Sequence, residues 1–177
     1  MVDKAAVFID GGYFDVILIE KFDWARINYE RLSNLLCGEY ERWSTFYYHC
    51  TPWQDDPPTD EQRRKLSQMQ KFLTALKRSP RFEIRLGKLV MRSDGPHQKG
   101  VDIQIAIDMV KLAASDRIDK AILISGDSDL VPAVRAVQDL NVLVELVYHP
   151  DAIGNELFET ARDRRAIDPA LIDACRN

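Results

Sequence analysis

Residues 121–130 read AILISGDSDL. Four apolar residues in a row give way to a turn of small and acidic ones. A short continuous apolar run of this kind suits a strand buried on both faces, as in the middle of a parallel sheet. VLVELV (142–147) repeats the pattern, and residues 129–138 between the two fit a helix. Further towards the N-terminus, residues 101–115 are apolar almost all round, which predicts a mostly buried helix. AAVFID (5–10) reads as another buried strand, stopped by Asp10-Gly11-Gly12. Strands alternating with helices predict an α/β fold: a three-layer α/β/α sandwich with a mainly parallel sheet, formed by residues 1–177 as one domain.

The remaining segments fill in this frame. Residues 27–38 place Ile27, Leu32, Leu35 and Leu36 on one helical stripe, with Asn28 as cap and Gly38 as stop. TFYYHC (45–50) is strand-like. Thr59 and Gln62 form a capping box that opens a helix turning Leu66, Met69, Leu73 and Leu76 inward. RFEIRLGKLVMR (81–92) alternates apolar and basic residues around Gly87 as a half-exposed strand able to turn back as a hairpin, and SDGPHQKG (93–100) reads as a loop. The tail, 151–175, reads as one or two helices.

Composition bounds the function. Hydrophobic residues make up 46% of the 177 and charged residues 29%, the balance of a folded globular chain. No apolar run approaches the ~20 residues of a membrane helix. The N-terminal apolar run is too short for a signal-peptide core, so a cytoplasmic protein without a membrane partner is expected. Cys37, Cys50 and Cys175 are too scattered for a disulfide framework or a zinc knuckle. His49, His97 and His149 are equally dispersed, which argues against His-rich metal chemistry and a Cys/His protease. The net charge of −4 is uneven: residues 61–100 hold eleven Lys or Arg against three Asp or Glu. Such a run is either a solvated face or a wall for a phosphate backbone.

In a parallel sheet, ligands bind outside the carboxyl ends of the strands. Asp10 closes the first strand, Asp127 and Asp129 follow AILIS, and Asp102 opens the buried helix after Lys99-Gly100. Asp108, six residues on, points ~120° away from Asp102, so the two cannot both face one site squarely. Carboxylates that converge at a sheet edge stay ionised cheaply only with a cation among them. Oxygen ligands without His or Cys select Mg²⁺ or Mn²⁺. Such an ion can polarise a phosphoryl oxygen and activate water. The competing reading is that each aspartate only caps a turn or helix.

FIDGGYF, KGVDIQIAID and ILISGDSDLVPAV together resemble the three signature segments of the NYN domain, the LabA-like proteins of the PIN-like nuclease superfamily. The resemblance spans roughly residues 5–165. It implies a PIN-like fold and a metal-dependent ribonuclease acting on RNA, with single strands the expected form. Asp10, Asp102, Asp127 and Asp129 would be the catalytic and metal-binding acids, with Asp108 part of the family pattern. Ser125 and Ser128 flank Asp127 and would support the acids; Ser128 is also the natural cap of the next helix. Lys99, Arg85 and Lys88 would hold the RNA backbone. The family's first segment continues to an asparagine where this chain has Tyr13, which could stack on a base instead. The family's C-terminal Ala-Asp pair is here Ala161-Arg162, leaving Arg162, Arg164 and Arg165 as a second candidate basic surface. Trp24 and Trp43 read as packing residues, with Trp53 the better placed for a base.

Two other readings stay open. A PIN-like scaffold can serve as an RNA-binding or regulatory module without cleaving. A Mg²⁺-dependent phosphatase of haloacid dehalogenase type shares the Gly-Asp-Ser string, but its general acid would fall at Gly12. A homodimer is compatible with the sequence, which does not decide it.

Overall fold

The computed structural model describes residues 2–177. Its centre is β1 (Lys4–Asp10), flanked by β2 (Glu41–Cys50) and β5 (Lys120–Ile124). Outward from β2 come β3 (Phe82–Arg92) and β4 (Gly95–Lys99); outward from β5 come β6 (Leu143–Tyr148) and β7 (Asp163–Ala166). The sheet order is β4-β3-β2-β1-β5-β6-β7, and every pair is parallel except β3–β4. Strand side chains alternate between two cores. Val7, Ile9, Ile122 and Ile124 face one, and Ala6, Phe8, Ala121 and Leu123 face the other.

The first core is covered by α1 (Gly11–Lys21), α2 (Tyr29–Cys37), α3 (Asp60–Arg78) and α7 (Pro169–Cys175). The second is covered by α4 (Val101–Ala114), α5 (Val131–Asp139) and α6 (Asn155–Thr160). The chain therefore moves outward from β1 on one face and returns to β5 on the other. The order reverses between β1 and β5, which opens a crevice at their carboxyl ends.

Local chemistry sets the helix starts. The Asn28 side chain accepts from Arg31 N–H, and the Thr59–Gln62 capping box is complete. Gly38 ends α2 with φ +59°, a conformation that favours glycine.

Several expectations are corrected. The hairpin turns at residues 93–94, and most of the expected loop 93–100 is strand β4. Gly87, within β3, allows close passage: a Cβ there would lie 2.8 Å from the carbonyl of Lys99. Helix α4 is not mostly buried, since Ile103 and Ile107 are 65% and 57% exposed. Leu35, expected to face inward, is also exposed. The tail adds an edge strand, β7, to its two helices. Asp-Arg-Arg-Ala has no apolar alternation to announce a strand. It is held by Arg165 Nε, 2.6 Å from Glu145 Oε1 on β6, and Glu145 also pairs with Lys120 of β5 at 2.5 Å.

Glu145 is only 5% exposed and ties three strands together. Its removal leaves two cations without their partner. Glu145→Ala should therefore cost about 3 kcal/mol, the lower end for a broken buried pair because Arg165 is partly solvated. Urea unfolding measures it; a loss under about 1 kcal/mol would show that the triad does not hold the edge.

Candidate metal centre

The crevice between β1 and β5 gathers the acids. Ile9 pairs with Ile124, so Asp10 and Ser125 leave their strands side by side. Asp10 is the N-cap of α1. Its Oδ1 accepts from Tyr13 N–H at 3.1 Å, and its Oδ2 accepts from the Ser125 hydroxyl at 3.2 Å. Ser125 Oγ in turn accepts from Asp127 N–H at 3.3 Å. Asp127 Oδ1 accepts from Asp129 N–H at 2.8 Å, capping the 3-10 turn Ser128–Leu130 that precedes α5. The cap of this segment is thus Asp127 rather than Ser128. Asp102 enters from the other side, in the first turn of α4 after the left-handed Gly100 (φ +89°).

One carboxylate oxygen each from Asp102, Asp127 and Asp129 lies within 4.8 Å of the other two. Oxygens sharing one Mg²⁺ at ~2.0–2.1 Å stand ~3–4 Å apart, so small side-chain rotations bring this set to bonding distance. Asp10 sits behind them, 7% exposed, with both oxygens engaged. Burial pushes the Asp10 carboxyl above its ordinary range, against the hydrogen bonds from Tyr13 and Ser125. Asp102 is pushed up to about 6, by burial first and then by the charges of Asp127, Asp10 and Asp129. This repulsion is what a cation would relieve. An all-oxygen donor set of this kind fits Mg²⁺ or Mn²⁺.

Two glycines let the loop around Asp127 pack. A Cβ on Gly126 would lie 2.4 Å from the carbonyl of Ala152, and one on Gly154 would lie 2.1 Å from Ser128 Oγ. The β6–α6 loop thus clamps the loop that carries the acids. Tyr13 belongs to the same clamp. Its hydroxyl accepts from His149 N–H at 2.9 Å and its ring lies against Gly126, so it is not a free stacking surface.

The structure does not bring Asp108 to the cluster. Its Oδ2 accepts from the Tyr48 hydroxyl at 2.8 Å and lies 3.4 Å from Arg85 Nε. Arg85 also pairs with Glu83 at 2.6 Å and lies over the Phe46 ring, so its guanidinium is committed locally. Arg81 pairs with Glu41, and Arg164 lies over Phe158. Lys88 and Lys99 face each other across the β3–β4 hairpin; both are exposed, and neither has an ion-pair partner among the described residues.

One feature escaped the sequence reading. His49 Nε2 lies 2.9 Å from Asp15 Oδ2, on the first-core side of the acids. Burial opposes charging the imidazole, but the hydrogen bond and charge of Asp15, with the Cys50 carbonyl and the charge of Asp10, together raise its pKa. The partners are 34 residues apart and meet only through the β1–β2 pairing, so no local spacing announces them.

A raised carboxyl pKa means that stability contributed by protonated Asp102 is full below about 4 and is lost as pH rises through about 6. In EDTA, the melting temperature of Asp102→Asn relative to the original protein should therefore climb between pH 4 and pH 7. Millimolar Mg²⁺ or Mn²⁺ at pH 7 should reverse the order. A difference that stays flat with pH and ignores the metals would contradict the assignment.

Residues 4–168 match the NYN domain family. No curated protein matches the chain. A crystal structure of a protein of unknown function from Vibrio parahaemolyticus superposes with a TM-score of 0.70. It is 23% identical, over 99% of this chain and 97% of that one, which is a likeness of fold. The family match runs from β1, through the helix that opens with Asp102 and the loop of Asp127 and Asp129, to the start of α7, and the chain belongs to the NYN domain family.

Proposed function

We propose that the protein is a divalent-metal-dependent ribonuclease that hydrolyses phosphodiester bonds of single-stranded RNA. The observation that carries this reading is the convergence of Asp102, Asp127 and Asp129 within 4.8 Å, in front of buried Asp10 and in a chain of the NYN family. Asp102, Asp127 and Asp129 would hold Mg²⁺ or Mn²⁺. When bound, the ion would polarise a phosphoryl oxygen and favour deprotonation of water.

The chain's own groups do the rest. The Asp10–Ser125–Asp127 hydrogen bonds fix the acids from behind, so the site needs little rearrangement when it acts. Lys88 and Lys99, exposed and without carboxylate partners among the described residues, are the cations proposed to hold the RNA backbone. Gly12 stands where a dehalogenase-type phosphatase needs its acid, and the family match leaves that reading without support. One observation favours an RNA-binding module that does not cleave: Asp10 has both oxygens occupied and is pushed towards its neutral form.

Cleavage of a labelled single-stranded RNA separates the two. Hydrolysis by direct attack of water on phosphorus should need Mg²⁺ or Mn²⁺, stop in EDTA, and leave a 5′-phosphate and a 3′-hydroxyl. Asp127→Asn keeps an oxygen able to cap Asp129 N–H, so it should bind RNA and fail to cut it. Binding without cleavage by the original protein would favour the module; cleavage that persists in EDTA would contradict the metal site.

Lys88→Ala with Lys99→Ala should weaken RNA binding several-fold. It should also flatten the plot of log affinity against log salt by ~1.4, or ~0.7 per phosphate contact. An unchanged slope would place the RNA path elsewhere.

A further inference from the structure

A cavity of about 800 Å³ lies between α1 and α3 and is separate from the acidic cluster. Its size falls in the ~300–1,000 Å³ range of small-ligand sites. Its floor is Tyr47, with Tyr29 and Phe72 packed edge-on around it at ring-centroid distances of 5.4 and 5.5 Å. At its mouth stands Trp24, 69% exposed. The backbone there is unusual: Asp23 and Trp24 both have positive φ, +48° and +57°. Two successive non-glycine residues in the left-handed region are uncommon, and such strain gathers at ligand sites. Trp24 N–H bonds to the carbonyl of Leu18, which fixes the turn that presents the indole to solvent.

The cavity shares a wall with the acidic centre. Gly11 follows Asp10 directly, and a Cβ there would lie 2.6 Å from the Tyr47 hydroxyl. The His49–Asp15 pair lines the cavity, and Asp15 lies on the helix that Asp10 caps. Arg26 adds positive charge among the lining residues, while Lys65 there is paired with Glu61 at 2.8 Å. A wide aromatic chamber with a few polar groups and the Arg26 guanidinium nearby suits the flat face of a base and the phosphate attached to it.

We propose that this cavity receives an unpaired nucleobase of the RNA strand whose backbone crosses the acidic centre, with Trp24 stacking on that base. The proposal rests on the ribonuclease reading and names how the same site would take hold of single-stranded rather than duplex RNA, since a paired base cannot leave its helix to enter.

The test uses short oligouridylate and oligoadenylate strands, with binding followed by fluorescence anisotropy in EDTA and cleavage followed in Mn²⁺. Trp24→Ala should weaken binding about tenfold, as expected for the loss of one base–aromatic stack. The salt slope should not change, because no phosphate contact is lost. Trp24→Phe should recover most of the affinity. If the original protein binds and cleaves RNA while Trp24→Ala binds equally well, the cavity proposal is overturned and the ribonuclease reading stands. If the original protein neither binds nor cleaves, both fall. If Trp24→Ala instead changes the molecular mass in light scattering and leaves RNA binding intact, the face is an interface between copies and the proposal is overturned.

Discussion

Like charges held close together at the carboxyl ends of β1 and β5 are the constraint around which the rest is arranged. Two carboxylates ~5 Å apart repel by on the order of 3 kcal/mol at an effective dielectric near 20. Asp102, Asp127 and Asp129 are at least that close. A flexible loop would relax such repulsion by moving the side chains apart. Here the loop after β5 is pinned from below by Ser125 and from the side by Gly154 N–H, which donates to the Gly126 carbonyl. The strands that carry the loops are the innermost of the sheet, paired on both edges and buried on both faces. Folding free energy from the two cores therefore offsets the repulsion and keeps the acids together.

Two aspartates of the acidic site also cap helical turns. Asp10 caps α1 and Asp127 caps the turn leading into α5. A helix start needs an acceptor for its first N–H groups, and a metal needs oxygen donors; a carboxylate can serve both. The question of whether these residues are caps or ligands thus has no single answer. For Asp10 the cap and the Ser125 hydroxyl occupy both oxygens, which gives it a supporting place behind the other three.

The sheet, its two buried faces and the position of the acids were legible because continuous apolar strands and their polar ends are local patterns. What was not legible depends on pairing across the fold. β7 looks charged and loop-like until Glu145 on the next strand neutralises Arg165. Arg85 looked like a free cation until Asp108 and Glu83 met it. Tyr13 looked like a stacking surface until the backbone of His149 took its hydroxyl. Trp24 looked like a packing residue, and only the left-handed turn that carries it reveals an exposed ring. Helix α4 is apolar almost all round yet buries only one side and exposes Ile103 and Ile107, so its sequence could not say which stripe would face out.

The proposed function requires the carboxylates to form one cation site. Anomalous diffraction from crystals soaked in Mn²⁺ tests it most directly. A single strong peak is expected, bounded by oxygens of Asp102, Asp127 and Asp129, with Asp10 behind it. Full soaking with no peak among these residues, or with manganese bound only elsewhere on the protein, would contradict it.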